Sequence, residues 1–202
     1  MTLSFRSLRA PLLAAVAAVS LSACFGLGGK TPPFLLTLDA AAAPSAGGAR
    51  TAAEAATLTI LIPTAPQKLR TTRIPVQQDG SSVTYVKDAQ WVEAPSRLFQ
   101  RLVSETVSAS SSRVVLDEGQ YVTAPGEQLA GQLMEFGVDA TTNEAVVVYQ
   151  AMLVSAGGKS VTQRRFEARE AIVGKVEAKP VGEALTRAAN KVAVEVTGWI
   201  GG

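Results

Sequence analysis

The sequence of 202 residues predicts an α/β domain, with a mixed, largely antiparallel sheet and two main helices packed on it. Two segments, Pro95–Ser112 and Pro180–Ile200, carry apolar residues at helical spacing. Before each of them come segments with β-branched or alternating patterns, separated by turn signals. The order strands, helix, strands, helix favours helices packed in a layer on a sheet.

The first elements are short. Phe34–Leu38 predicts a strand, and Thr57–Ile62 predicts another because it is a β-branched run that Pro63 stops. Between them, Asp39–Ala56 is rich in alanine and glycine and lacks an apolar stripe. We therefore predict a loop there rather than a helix.

A hairpin precedes the first helix. Pro66–Val76 predicts an extended connection into a second short strand, and Asp79-Gly80 is a turn signal before Val83–Val86. Pro95 suits the first turn of a helix, because the N–H that it lacks would have no partner there.

Four strands are predicted between the two helices: Arg113–Leu116, Gln128–Val138, Glu144–Val154 and Val161–Val173. Ala145–Val148 is apolar on both faces, which favours a central strand covered on both sides. In the last strand Phe166 and Ala168 share one face, and Glu167 and Arg169 share the other, so that strand is predicted to be half-exposed.

The last helix has one continuous apolar face, formed by Val181, Leu185, Ala188, Val192, Val196 and Trp199. Glu183 and Arg187 are four residues apart and predict a surface ion pair. A helix lying on a membrane would carry more Lys and Arg on its polar face, so docking onto the sheet is favoured.

The N-terminus resembles an export signal that ends in a lipobox. Residues 1–10 contain two arginines and no acid, and Pro11–Leu21 is an apolar run too short to span a membrane. Leu21-Ser22-Ala23-Cys24 then resembles the lipobox of bacterial lipoproteins, which implies cleavage between Ala23 and Cys24 and acylation of Cys24. The predicted organisation is a signal peptide over residues 1–23, a tether over 24–33 and one domain over 34–202.

The alternative interpretation of Cys24 is a buried or disulfide-bonded cysteine behind an ordinary signal peptide. Cys24 is the single cysteine of the sequence, so an internal disulfide is impossible. An exported protein with an uncapped thiol would also carry a reactive group. We therefore favour lipidation, and the several acyl chains of lipoproteins would give stable anchoring.

Charge argues against a nucleic-acid partner. The formal net charge is +2, and the predicted signal peptide contains Arg6 and Arg9 without an acid, so the mature chain is nearly neutral. The densest basic pair, Arg164-Arg165, lies near Glu167 and favours a charge-mixed surface.

The sequence contains no histidine, which argues against an enzyme. Ser-His-acid triads, Cys-His dyads and most zinc sites need histidine, so no metal or cofactor is predicted. Paired carboxylates remain, but Asp117-Glu118 precedes Gly119 in a turn pattern, where acids are usually solvated. Glu167 and Glu170 are an odd number of residues apart on a predicted strand, which puts them on opposite faces.

Four residues are candidates for contacts with a partner or a lipid. Tyr85 lies on the predicted strand Val83–Val86, and Trp91 lies between a strand and a helix, where we favour a core position for it. Arg70 and Arg73, on a predicted loop, are candidates for a phosphate head group or an acidic partner, although a solvated position is the more ordinary one.

In its order of segments the chain resembles the ABC-type transport auxiliary lipoprotein family. The resemblance rests on the lipobox and on Phe34–Leu38, Leu69…Arg73-Ile74, Tyr85…Trp91-Val92-Glu93-Ala94-Pro95, Gln128-Leu129…Leu133…Phe136, Val146–Leu153, Arg165-Phe166 and the last helix ending in Trp199-Ile200.

This resemblance implies a non-catalytic accessory subunit of a transporter of the paraquat-inducible type, which combines an ATPase, a permease and a mammalian-cell-entry (MCE) domain protein. Such transporters move phospholipids or other hydrophobic molecules between the two membranes. The implied partners are the periplasmic MCE-domain protein, the membrane through the lipid anchor, and phospholipid as a candidate ligand. Phe25 rather than Asp follows Cys24, which by resemblance implies the periplasmic face of the outer membrane.

Two other classes of function stay open from the sequence. One is an outer-membrane assembly or secretion lipoprotein of the pilotin-like kind, which would associate with a β-barrel or secretin. The other is a lipid-binding or hydrolytic lipoprotein that acts alone, although the absence of histidine weakens the hydrolytic version.

Overall fold

A computed structural model describes residues 34–47, 51, 57–117 and 126–201 of the protein, which belong to one compact unit. They form seven strands and two α-helices. The strands are β1 (Thr57–Ile60), β2 (Arg73–Gln77), β3 (Val83–Gln90), β4 (Val114–Leu116), β5 (Glu127–Asp139), β6 (Glu144–Val154) and β7 (Val161–Ala171). The helices are α1 (Pro95–Ser110) and α2 (Ala178–Ile200). The signal peptide and tether, predicted over residues 1–33, lie outside the described residues.

The strands form one mixed sheet with β5 and β6 in its interior. β6 pairs antiparallel with β5 on one side and β7 on the other, along nearly its whole length. β1 and β2 share the other edge of β5, where each pairs in parallel with one end of that long strand. β4 joins β1 in parallel, and β3 joins β2 as the antiparallel hairpin. Because the long ladders are antiparallel, the predicted fold class is confirmed.

Both helices pack against one face of the sheet and against each other. The apolar faces predicted for them are buried, and burying a Leu or Val side chain completely contributes about 1.5–3 kcal/mol. Small residues on the buried side of α2 allow close packing: Gly182, which lies against Leu36, and Ala184, Ala188, Ala189 and Ala193. The two buried threonines of the helices, Thr106 and Thr197, donate their hydroxyl protons to carbonyl oxygens four residues earlier, so neither leaves a polar group unpaired.

The opposite face of the sheet, which we call the open face, is not covered by these helices. On β6, Ala145, Val147 and Tyr149 belong to the core beneath the helices, whereas Val146 and Val148 alternate to the other side. Val146 and Val148 are nevertheless buried. The prediction of a strand that is apolar on both faces is therefore correct, but among the described residues no second layer of helices covers the open face.

The prediction of a strand over Phe34–Leu38 is wrong, because this segment forms only a single β-bridge. Leu36 pairs in parallel with Trp91, and the chain then passes over α2. There the Asn190 side chain accepts from the N–H of Ala41 and donates to the carbonyl of Asp39. Within the predicted Ala-rich loop, residues 39–47 and 51 form neither helix nor strand, and the other residues lie outside the described ranges.

Other boundaries differ from the predictions by a few residues. α1 ends at Ser110, because Ser111 has an extended backbone. The N–H and the hydroxyl of Ser111 both donate hydrogen bonds to the carbonyl of Val107. A 3-10 turn over Gln67–Leu69 interrupts the predicted extended connection. The predicted pair of Arg187 with Glu183 is replaced by one with Glu170 on β7.

Candidate functional site

The candidate site lies on the open face, where the register of five strands brings charged and apolar residues together. These residues are Arg73, Pro75 and Gln77 of β2, Tyr85 of β3, Glu135, Gly137 and Asp139 of β5, Val146 and Val148 of β6, and Glu167 and Arg169 of β7. They include two of the residues that the sequence marks as candidates for contact, Arg73 and Tyr85.

A shallow groove of about 470 Å³ crosses this face. Pro75, Gly137 and Val146 line its apolar part. Gly137 is required by a close approach of β2, since a Cβ atom there would lie 2.8 Å from Cγ of Pro75 and closer still to the Pro75 carbonyl oxygen. Lys68 and Glu135 lie at one side of the groove, and the Lys68 ammonium group donates to both carboxylate oxygens, at 2.8 and 2.6 Å.

Arg169 is the centre of a second charged cluster. Its guanidinium group lies 3.1 Å from Asp139, 3.4 Å from Glu144 and 3.0 Å from Glu167. The hydroxyl of Thr141, together with Arg169, lowers the pKa of Asp139 to about 2. The three carboxylates raise the pKa of Arg169 above its already high ordinary value. Asp139 and Arg169 therefore both stay charged at any physiological pH.

This chemistry suits binding rather than proton transfer. A general acid or base works best with a pKa near the operating pH, and Asp139 and Arg169 are held far from it. Glu167 and Glu170 lie on opposite faces, as predicted, and Glu170 contacts Arg187 and Lys191 of α2. Its pKa is lowered by these two cations.

Tyr149 has a structural role. Its hydroxyl donates to the carbonyl of Ala130 at 2.9 Å, and burial raises its pKa. Within the described ranges no group of His, Cys, Asp and Glu side chains could hold a metal ion. In the same ranges neither helix is long and apolar enough to cross a membrane.

The structure brings Arg73 and Tyr85 together and separates Trp91 from solvent. The guanidinium carbon of Arg73 lies 3.9 Å from the centre of the Tyr85 ring, a cation–π contact at the surface. Arg73 begins β2 rather than lying on a loop. Arg70 is exposed, as predicted for a loop residue, and its Nε donates to the carbonyl of Ala65 at 3.0 Å.

Trp91 is 1% exposed and lies in the core, the position that we favoured for it. Its ring packs edge-on against Phe136, with 5.7 Å between ring centres, and its Nε1 has no hydrogen-bond partner among the described residues. In this position a partner cannot reach its ring. Ala23 and Cys24, the predicted cleavage and lipidation residues, lie outside the described residues.

The residues of the groove were not singled out from the sequence. The alternation of charge on β7 places Glu167 and Arg169 on one face, and Asp139 with Thr141 has the spacing of a side chain that closes a turn. These two signals were available in the sequence. That Lys68 pairs with Glu135, 67 residues later, has no local signal.

Comparison with known families matches residues 35–197 to the family described as ABC-type transport auxiliary lipoprotein component. The chain therefore belongs to this family, which confirms the resemblance noted from the sequence.

Two solved structures are similar in fold. Protein XCC0632 from Xanthomonas campestris, described as a DUF330 family protein, is 18% identical with a TM-score of 0.66, over 83% of this chain and 94% of that chain. An uncharacterized protein is 11% identical with a TM-score of 0.62, over 71% of this chain and 92% of that chain. At these identities the likeness concerns the fold alone. Comparison with curated proteins finds no match.

Proposed function

We propose that the protein is a non-catalytic, lipid-anchored accessory subunit of an ABC transporter that contains an MCE-domain protein. The transporter would move phospholipids or other hydrophobic molecules across the cell envelope. The family match over residues 35–197 is the observation that carries this proposal. The subunit would dock the periplasmic MCE assembly to the outer membrane.

The open face supports a docking role. The charged residues that line its groove, Lys68, Glu135, Asp139 and Arg169, are held in ion pairs beside an apolar part, so the face offers shape and fixed charge rather than a reactive group. Surface ion pairs of this kind contribute little to stability, about 0–1 kcal/mol each. They are well suited to selecting a partner by charge complementarity.

In this proposal Cys24 carries the acyl chains and anchors the domain to the periplasmic face of the outer membrane. A tethered domain stays at high effective concentration near the membrane, which favours assembly with a partner there. The anchor is tested by the mass of the N-terminal peptide and by separation of inner and outer membranes. We expect an acylated peptide beginning at Cys24 in the outer-membrane fraction, and release of the Cys24→Ser variant from it. An unmodified cysteine would contradict the anchor.

Two experiments distinguish this proposal from function as an assembly or secretion lipoprotein and from function as a hydrolase. Association with a barrel or secretin, without an MCE-domain protein, would favour the assembly role. Hydrolysis of phospholipid by the purified protein would contradict a non-catalytic role.

A further inference from the structure

An apolar corner of the domain lies where the described chain begins. Phe34 is 49% exposed, Leu35 is 50% exposed and Val92 is 47% exposed. All other strongly exposed large hydrophobic residues of the described ranges are valines at scattered positions. Single exposed valines are ordinary on a protein surface, whereas an exposed Phe and Leu in succession, beside the bridge of Leu36 with Trp91 that precedes Val92, need a physical explanation.

Backbone pairing fixes this corner. The N–H of Leu36 donates to the carbonyl of Gln90 at 2.8 Å, and the N–H of Val92 donates to the carbonyl of Leu36 at 2.9 Å. Leu36 and Trp91 pack in or against the core. Because side chains alternate along extended backbone, Leu35 and Val92 lie on the other side, away from the core. Phe34 lies at a bend just before this extended segment and is exposed at its end.

The pairing of β2 with β3 places an arginine and a tyrosine beside this corner. Arg73 pairs with Gln90, the residue whose carbonyl accepts from Leu36, so Arg73 lies on the same side as Leu35. Tyr85 lies against the Arg73 guanidinium group. Apolar side chains flanked by an arginine and a tyrosine are the composition found where proteins meet the boundary of a bilayer.

We infer that this membrane-facing corner, formed by Phe34, Leu35 and Val92 with Arg73 and Tyr85 beside them, rests on the bilayer that holds the lipid anchor. The inference rests on the proposed acylation of Cys24. Nine residues separate Cys24 from Phe34, so the two residues lie at most about 36 Å apart when the chain is fully extended. Along the chain, the corner is thus the described surface nearest to the bilayer. The positive charge of Arg73 is complementary to the anionic head groups of the bilayer.

Contact at this corner orients the domain. The tether alone would limit the distance from the bilayer but leave rotation unrestricted. Apolar contact at one corner would select one orientation, because the anchored domain needs only a weak additional interaction.

The test uses the full lipoprotein in vesicles of phosphatidylethanolamine and phosphatidylglycerol whose acyl chains carry a quencher. Cys24 is the single cysteine of the sequence and is capped by lipid in this proposal. A thiol-reactive fluorescent label therefore attaches only to an introduced cysteine. A label on the Val92→Cys variant reports how close the corner lies to the acyl chains. Val161→Cys is the matched control, because Val161 is a valine of β7 with 58% exposure.

We expect severalfold stronger quenching of the label at position 92 than at 161. On the Val92→Cys protein, Leu35→Asp should lower quenching to the level of position 161, whereas Val194→Asp, at an exposed valine of α2, should leave it unchanged. Circular dichroism verifies folding of each variant.

Equal quenching at both positions, in protein that floats with the vesicles, would overturn the inference and leave the anchor intact. Failure to float would contradict the anchor and this inference together. Neither result depends on which transporter protein binds the domain, so failure of the proposed MCE partnership is detected separately.

Discussion

Adding one methyl group at Gly137 and at Gly198 is expected to change stability in opposite directions. At Gly137 the new methyl would lie 2.8 Å from Cγ of Pro75 and closer to its carbonyl oxygen. The carbonyl belongs to the backbone of β2, so relief requires β2 and β5 to separate. Overpacking of this kind costs about 1–3 kcal/mol. Because the contact is with rigid backbone, we expect Gly137→Ala to lower the free energy of unfolding by about 2–3 kcal/mol.

Gly198→Ala is the matched control. Gly198 lies in α2, and no atom outside its own helical turn lies within 4 Å of the position of an added Cβ. Alanine restricts the unfolded chain and favours helix, which contributes about 0.5–1 kcal/mol relative to glycine. The free energy of unfolding should therefore rise for this variant.

Urea denaturation and thermal denaturation, both followed by far-ultraviolet circular dichroism, measure both variants. For a domain of this size 1 kcal/mol corresponds to about 2–4 °C in Tm. Gly137→Ala should therefore lower Tm by about 4–12 °C, and Gly198→Ala should raise it slightly. A Gly137→Ala protein as stable as the wild type would refute the close packing of β2 on β5. A destabilised Gly198→Ala protein would refute the open surroundings of that position.

The remaining predictions concern the ion-pair cluster and the core. Thr141→Val should raise the pKa of Asp139 from about 2 towards 3.8 by more than Arg169→Met does, because the Thr141 hydroxyl is the larger cause of the shift. Carbon-detected NMR titration measures this, and a larger effect of Arg169→Met would contradict it. Since the pKa is lowered on folding, the stabilisation from Asp139 is present above about pH 4 and is lost as the pH falls towards about 2. Urea midpoints of wild type and Asp139→Asn should therefore converge at acid pH, and a constant difference would contradict the assignment. Phe136→Ala should cost about 3–5 kcal/mol and shift the emission of Trp91 to longer wavelength, and a cost below about 1 kcal/mol would contradict the core position of this ring.

Local signals in the sequence were sufficient for the hairpin and the helices. Asp79 accepts hydrogen bonds from the N–H groups of Ser81 and Ser82, so the chemistry that closes the turn lies within four residues. The apolar faces of α1 and α2 likewise follow from spacing along the chain. These elements were predicted with small errors at their ends.

Pairing between distant segments was not predictable in the same way. Alternation shows which residues share a face but not which strand lies beside them. The sharing of one edge of β5 by β1 and β2 depends on parallel pairing across the domain. The contact of Arg73 with Tyr85 depends on the irregular register of the hairpin, where Asp88 has a φ of 52°. Arg73 and Tyr85 were chosen singly for their chemistry, and their contact appears only in the fold.

The central claim is that the protein is the lipid-anchored partner of an MCE-type transporter. Its most direct test is chemical crosslinking of the native envelope, capture of the full lipoprotein and quantitative mass spectrometry of the captured proteins, with Cys24→Ser as the control. We expect an MCE-domain protein to be enriched over the control, with crosslinks to the described domain. Enrichment of a barrel or secretin without any MCE-domain protein would contradict the claim.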